Sequence, residues 1–217
     1  MDPNTYSKTK IFLIYFVIVF LFELIIYYTN TFIITENALR SSYSFLDSDI
    51  LDRVVSMQKN NILLGYFVIP ILILLRCLLF SLPVYTVLYV QNESKINFKT
   101  LFIIALYGEF IFIISGITKI IILTFTSNSD IIAKITGFIP FSLKSLTDYL
   151  NISTSIFQYP LQMINLFELY FWILAGYSIA NVLNKRSSIA FRILLMGYGS
   201  ALLVWCLLVI FIQLILV

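Results

Sequence analysis

The chain has 217 residues, of which 60% are hydrophobic and 12% are charged, and its formal net charge is +3. With a mean hydropathy of +0.98, it has too little polar surface to cover a water-soluble core. Its lysines and arginines lie beside apolar runs instead of forming a basic face, which argues against nucleic acid as a partner. The chain has no histidine, the commonest general base and metal ligand, so we expect no enzyme, cofactor or metal site.

Long apolar runs predict the elements that cross the membrane. A helix needs about 20 apolar residues to cross roughly 30 Å of hydrocarbon. Five segments qualify in chain order: residues 11–34, 62–90, 101–125, 161–183 and 189–217. We predict an all-α, polytopic membrane protein in which residues 1–217 form a single membrane domain, a bundle of five transmembrane helices embedded in the lipid bilayer.

Two amphipathic segments lie between these spans. In residues 45–58, apolar side chains recur at helical spacing against Asp49, Asp52 and Arg53, which predicts a short amphipathic helix on the membrane or on the bundle. In residues 130–150, isoleucines share one helical face before Pro140 breaks the pattern, which predicts an interfacial or re-entrant segment too short to span. Either segment acts as a cover over the helix ends or as a gate.

The distribution of cations predicts the orientation. Short loops with concentrated lysine and arginine face the cytoplasm. The N-terminal tail and two short turns carry such clusters, whereas the cations of the two long loops are diluted among aspartates. The clustered cations are Lys8, Lys10, Lys95, Lys99, Lys185 and Arg186. We therefore expect the N-terminus in the cytoplasm and the C-terminus outside.

Four ionisable side chains lie well inside the predicted spans: Glu23, Arg76, Glu109 and Glu168. Such a residue marks a transport pathway, an ion pair or a protein contact, because a charge in the bilayer centre costs a few kcal/mol or more. At about 1.5 Å per residue, three of them share a level roughly 18 to 22 Å from the cytoplasmic helix ends, and Glu109 lies at roughly 14 Å. We expect Arg76 to pair with Glu168 or Glu23, because a guanidinium satisfies a carboxylate well.

This layer of charges admits three interpretations. The ion pair and a protonated glutamate hold helices together, or the layer conducts ions or couples protons, or it contacts a charged residue of a partner subunit. The direction in which the glutamates face distinguishes these alternatives: toward Arg76 with no space left, toward a water-filled cavity, or toward another chain.

Two pairs of small residues, each four apart, predict close helix contacts. They are Gly176 with Ala180 and Gly197 with Ala201, and small residues at this spacing let membrane helices approach closely. We expect them to bring the fourth and fifth helices together. The nearby Ser200 is not a candidate nucleophile, because the chain has no histidine to activate it.

The last third of the chain has an N-F-x-L-W-like start, a span with a small-residue G-x-S-x segment, a short basic turn and a last helix. The residues in these places are Asn165, Phe167, Trp172, Gly176, Tyr177, Ser178, Lys185 and Arg186. In this pattern the chain resembles the Yip1 family of five-span membrane proteins. The resemblance implies a cytoplasmic N-terminus, an external C-terminus and, from the bacterial relatives, the bacterial cytoplasmic (inner) membrane.

Two functional hypotheses follow from the sequence. The first is a non-enzymatic accessory or scaffold subunit of a larger membrane transport, export or secretion complex, with other membrane subunits as partners; the chain shows no energy-coupling motif and no internal repeat. The second is a small stand-alone carrier or channel, with or without proton coupling, that uses the layer of buried glutamates and arginine.

Overall fold

The structure is a computed structural model that describes residues 8–93, 96–126, 135, 137–150 and 157–216, without the side chains of residues 59–61, 63 and 216. Every element in this part of the chain is a helix. In chain order they are α1 (Lys8–Tyr28), α2 (Glu36–Ser42), α3 (Ser48–Val90), α4 (Phe98–Thr124), α5 (Leu143–Tyr149), α6 (Gln158–Met163), α7 (Leu166–Leu183), α8 (Ser187–Leu194) and α9 (Ser200–Leu216). A π-helical turn extends α1 over Thr29–Ile33, and another joins α8 to α9 over Leu195–Gly199.

Five helical stretches among the described residues are long and apolar enough to cross a membrane. They cover Lys8–Ile33, Leu64–Val90, Phe98–Thr124, Leu166–Leu183 and Ser187–Ile215. The prediction of an all-α chain with five helices of spanning length is confirmed, and by this measure the chain is an integral membrane protein. The fourth span differs most from its predicted bounds, since it begins at Leu166 and not at residue 161.

The segment predicted as a short amphipathic helix, residues 45–58, is not a separate element. From Ser48 onward it belongs to α3, a helix of 43 residues that continues into the second span. No proline lies between Ser48 and Pro70, and neither Pro70 nor Pro83 ends the helix. Arg40 of α2 joins this extension through an ion pair of 2.7 Å with Asp52.

The second amphipathic segment, residues 130–150, is described only in part. Residues 130–134 and 136 lie outside the described residues, and α5 occupies the last part of the segment. An isolated antiparallel bridge joins Ser142, just before α5, to Asn165, just before α7. The start of α5 is therefore held against the start of the fourth span.

The core of the molecule is centred on α4, which packs against α1, α3 and α7. Half of its most apolar stretch is buried, against 11% for α1. Close packing at one point requires a glycine: a Cβ on Gly108 would overlap the Phe171 ring of α7. The ring of Phe171 in turn lies 5.1 Å from that of Phe80 on α3, so aromatic side chains connect three spans.

Two turns meet at one end of the molecule. An ion pair between Lys185 and Glu93 joins the turn after α7 to the turn after α3. Asn92 and Asn184 adopt the left-handed conformation there, with φ values of 56° and 55°, which is how asparagine commonly ends a helix. Of the cations predicted to share this end, Lys95 lies outside the described residues.

The predicted small-residue pairs lie at two different contacts. A Cβ on Gly176 would lie 2.6 Å from the Phe191 ring of α8, so this pair is at the interface of the fourth and fifth spans. A Cβ on Gly197 would lie 2.8 Å from Cα of Val84, so Gly197 faces the backbone of α3 instead of α7. Ala180 is buried, whereas Ala201 lines a cavity.

Candidate functional site

Arg76 forms an ion pair with Glu109 between α3 and α4. The Nη2 atom of Arg76 lies 3.0 Å from Oε2 of Glu109, whose side chain is only 2% exposed, while that of Arg76 is 38% exposed. The contact is ionic and not an aligned hydrogen bond, since no donor of the described residues points at Oε2. The guanidinium also lies over the ring of Phe112, with Cζ 4.4 Å from the ring centroid. This cation–π contact fixes the guanidinium further.

The partner of Arg76 differs from the predicted one, which is Glu168 or Glu23. Because α4 begins at Phe98, earlier than predicted, Glu109 lies about 11 residues into its helix and closer to the level of Arg76. The long arginine side chain bridges the remaining difference in height. The structure therefore joins Arg76 to the one glutamate predicted to lie at a different level.

Glu168 faces two hydrogen-bond donors. Its Oε1 atom accepts a hydrogen bond from Nε1 of Trp172 at 3.0 Å and another from the hydroxyl of Tyr198 at 2.9 Å. Its Oε2 atom accepts none from the described residues, although Glu168 is only 8% exposed. Tyr198 lies on the π-helical turn Leu195–Gly199, and such turns are frequent at functional sites.

Asn165 fixes the start of α7 and with it the position of Glu168. The Oδ1 atom of Asn165 accepts a hydrogen bond of 2.9 Å from the backbone N–H of Glu168, and Nδ2 donates to the carbonyl groups of Gln162 and Met163. Asparagine followed three residues later by glutamate is a helix-start signal. This signal lies inside the predicted span 161–183, and it places Glu168 in the first turn of its helix.

A cavity of about 470 Å³ lies where α1, α3, α4, α7 and α9 converge. We call it the central cavity. Its polar lining consists of Arg76, Ser115, Lys119, Tyr159, Asn165, Glu168 and Tyr198, and most of its other lining is apolar. Pockets of about 300–1,000 Å³ with apolar walls and a few placed polar groups are typical of small-molecule sites.

Described residues between α4 and α7 contribute to the lining of the central cavity, and a cover and a gate both remain open as their role. We call residues 137–150 and 157–165 the cover segment; Phe138 and Tyr159 belong to it and line the cavity. The Nε1 atom of Trp205 on α9 donates a hydrogen bond of 2.6 Å to the hydroxyl of Tyr159. The cover segment is thus tied to the last span, and its role as a gate stays a prediction.

Lys119 and Glu23 occupy different environments. Lys119 lines the central cavity, and its Nζ donates a hydrogen bond of 2.8 Å to the carbonyl of Ile135. Glu23 is half-buried on α1 and has no hydrogen bond or ion pair with the described residues. Of the four predicted residues, Arg76 and Glu168 therefore line the central cavity. Glu109 pairs with Arg76 but does not line the cavity, and Glu23 forms no ion pair or hydrogen bond with the other three.

The central cavity has the features of a binding site. It presents an arginine, a lysine and a glutamate to one space among apolar walls, which suits recognition of a charged or dipolar ligand. Within the described residues, no group of three or more cysteine, aspartate or glutamate side chains is placed to hold a metal ion. The chemistry that the described side chains offer here is the pairing of charges and hydrogen bonds.

Comparisons of this chain with protein-family models, with curated proteins and with solved structures found no match. The resemblance to the Yip1 family therefore stays a prediction. Of the residues in its pattern, Asn165 caps α7 and Trp172 donates a hydrogen bond to Glu168. The central cavity and its charged side chains are the features from which a function can be inferred.

Proposed function

We propose that this chain is a small, non-enzymatic membrane carrier that binds its substrate in the central cavity. The observation that supports this proposal is the position of the charges. Arg76 and Glu168 both line the central cavity, whereas charged side chains that only hold helices together would leave no space beside them. A buried ionisable residue at a cavity between spans is by default a functional residue.

A carrier must expose this cavity to water on each side of the membrane in turn, which cysteine labelling can test. Ser115 lines the cavity, so Ser115→Cys places a thiol in it. In a background with Cys77→Ala and Cys206→Ala, an impermeant maleimide should label this thiol in sealed vesicles of either orientation. Labelling from one side only, or from neither, would contradict a carrier.

The chain offers a matched control for this experiment. Ser81 lies on α3, is fully buried and does not line the central cavity, so the same substitution, Ser81→Cys, places a thiol outside the cavity. It should stay unlabelled from both sides while detergent unfolding exposes it. Labelling of Ser81→Cys at the rate of Ser115→Cys would show that the reagent reports general opening of the protein and not access to the cavity.

One observation favours the second candidate, an accessory subunit of a membrane complex. Glu23 lies within the least buried span and has no partner among the described residues, and an intramembrane carboxylate without a partner is costly. A cation on another membrane subunit would neutralise it. Native mass measurement after gentle extraction should then show a heteromeric complex that Glu23→Gln releases, and recovery of wild-type protein as a monomer alone would count against this candidate.

We propose the bacterial cytoplasmic membrane as the location, with the N-terminus inside. The clustered cations of the N-terminal tail and of the turns at residues 91–97 and 184–186 support this orientation. The ion pair of Lys185 with Glu93 is consistent with the proposal, because it holds these two turns together. An impermeant reagent should therefore label a cysteine in the turn after α7 only in inside-out vesicles.

A further inference from the structure

We infer that the central cavity binds a membrane phospholipid whose head group carries both a phosphate and a primary ammonium. This inference rests on the proposed carrier function and names its substrate class. The head group would lie with its phosphate toward Arg76 and Lys119 and its ammonium toward Glu168. The acyl chains would lie along the apolar lining and leave the cavity toward the bilayer.

Charges of both signs share this space without pairing with one another. Arg76 and Lys119 line the cavity on α3 and α4, and Glu168 lines it on α7. Among the described residues, the ion pair of Arg76 is with Glu109, and neither cation lies within ion-pair distance of Glu168. A ligand with charges of both signs complements such a surface, whereas a ligand of one sign would leave a charge of the cavity without a partner.

Each of the three groups keeps hydrogen-bonding capacity for a ligand. A guanidinium has five N–H donors and an ammonium three, while Arg76 contacts one carboxylate oxygen and Lys119 donates to one carbonyl. Tyr198 and Trp172 both donate to Oε1 of Glu168. Its Oε2 atom accepts no hydrogen bond from the described residues. Arginine and lysine are the side chains that bind phosphate, and a primary ammonium supplies the donor that Oε2 lacks.

The walls of the cavity indicate that the ligand is a lipid and not a small soluble zwitterion. Leu72, Leu75 and Leu79 line the cavity and are exposed, and all three lie within the span Leu64–Val90. The cavity therefore opens through the face of α3 into the hydrocarbon, at the place where acyl chains are available. An alkyl chain can pack against these leucine side chains, whereas a small soluble zwitterion has no apolar part to cover them.

The test is native mass spectrometry of the full chain in a mild detergent, titrated with three lipids that share their acyl chains. Phosphatidylethanolamine has the phosphate and a primary ammonium, phosphatidylglycerol lacks the cation, and phosphatidylcholine has a quaternary cation without an N–H donor. We expect one phosphatidylethanolamine per chain, bound about tenfold more tightly than either of the others, as one charge-assisted hydrogen bond provides. Equal affinity for the three lipids would overturn the inference without any variant being needed.

Variants test which side chains bind the ammonium and which bind the phosphate of the lipid head group. Glu168→Gln should reduce the affinity for phosphatidylethanolamine to that for phosphatidylglycerol. The double variant Arg76→Gln with Glu109→Gln removes both members of the ion pair, so no carboxylate is left without its cation. It should weaken the binding of both phosphatidylethanolamine and phosphatidylglycerol. Glu93→Gln changes a carboxylate at the other end of the molecule and should alter neither. An unchanged lipid preference in Glu168→Gln would also overturn the inference.

The lipid titration and the cysteine labelling test the lipid assignment and the carrier function separately. If phosphatidylethanolamine is preferred but Ser115→Cys is labelled from one side only, the lipid site stands and the carrier function fails. If labelling occurs from both sides but the three lipids bind equally, the carrier stands and the lipid assignment fails. Competition by soluble phosphoethanolamine at the affinity of the full lipid would show that the acyl chains contribute nothing, which would also overturn the lipid assignment.

Discussion

The hydroxyl of Tyr198 donates a hydrogen bond of 2.9 Å to Oε1 of Glu168 and so joins the last span to the fourth. The same oxygen accepts the indole N–H of Trp172, one turn along α7. Two donors on Oε1 orient the carboxylate of Glu168, which lines the central cavity. Tyr198 reaches this position from a π-helical turn, which connects a local departure from α-helical geometry with the candidate site.

The first prediction concerns this shared acceptor. Tyr198→Phe alone should lower the free energy of unfolding by about 1 kcal/mol, because Oε1 keeps the bond from Trp172. Adding Trp172→Phe should cost more than the sum of the single changes, since the double variant leaves a buried oxygen without a donor. Unfolding followed by circular dichroism in detergent measures these differences.

Tyr177→Phe is the control for these single and double variants, because Tyr177 is an exposed residue of α7, the helix that carries Trp172. Its unfolding free energy should stay within about 0.5 kcal/mol of the wild type. Strictly additive effects of the Tyr198 and Trp172 changes would contradict the sharing of one oxygen by two donors.

The second prediction concerns the ion pair of Arg76 with the buried Glu109. Arg76→Met should destabilise the protein by about 3–5 kcal/mol, because it leaves the carboxylate of Glu109 buried without its cation. Arg76→Met combined with Glu109→Met should recover most of this loss, since the pair is then replaced by apolar side chains of similar size. A double variant that is less stable than Arg76→Met would contradict this account of the pair.

The sequence predicts the spans better than it predicts their contacts. Apolar length alone locates the five spanning helices, because the cost of burying backbone groups in lipid dominates every other preference. The partner of Arg76 could not be predicted, because counting residues gives a height along each helix but not the direction in which a side chain points. Heights also depend on helix ends, and the early start of α4 at Phe98 changes the level of Glu109.

One feature of the candidate site, the start of α7, has a sequence signal that the apolar pattern hides. The spacing of Asn165 and Glu168 marks the start of α7, although both lie in a run that is apolar enough to span. The glycines on either side of Tyr198 accompany the π-helical turn, but no spacing rule predicts that turn. The cavity itself depends on how five spans converge, and hydrophobic periodicity carries no information about that convergence.

The third prediction concerns the contact of Gly197 with α3. Gly197→Ala should lower the free energy of unfolding by about 1–3 kcal/mol, because the new Cβ would lie 2.8 Å from Cα of Val84 and the backbone cannot move aside easily. Gly65→Ala is the matched control, since a Cβ at Gly65 meets nothing within 4 Å. It should stabilise the helix by up to about 1 kcal/mol. Destabilisation of equal size in both variants would contradict the close approach at Val84.

The fourth prediction concerns the cap of α7. Asn165→Ala should cost about 1–2 kcal/mol of unfolding free energy, because the backbone N–H of Glu168 loses its acceptor. It should also change the central cavity, since Asn165 lines it and holds the first turn that carries Glu168. The rate at which an impermeant maleimide labels Ser115→Cys reports that change.

Asn97→Ala provides the comparison, because Asn97 caps α4 by accepting a hydrogen bond of 3.0 Å from the backbone N–H of Thr100. Asn97 is exposed at the other end of the molecule. Its replacement should lower the free energy of unfolding by a similar amount, because a cap is lost in both variants. It should leave the labelling rate of Ser115→Cys unchanged. If the two variants altered the labelling rate equally, the cap of Asn165 would act on the fold as a whole. A change confined to Asn165→Ala, at equal loss of stability, would assign Asn165 to positioning Glu168 at the cavity.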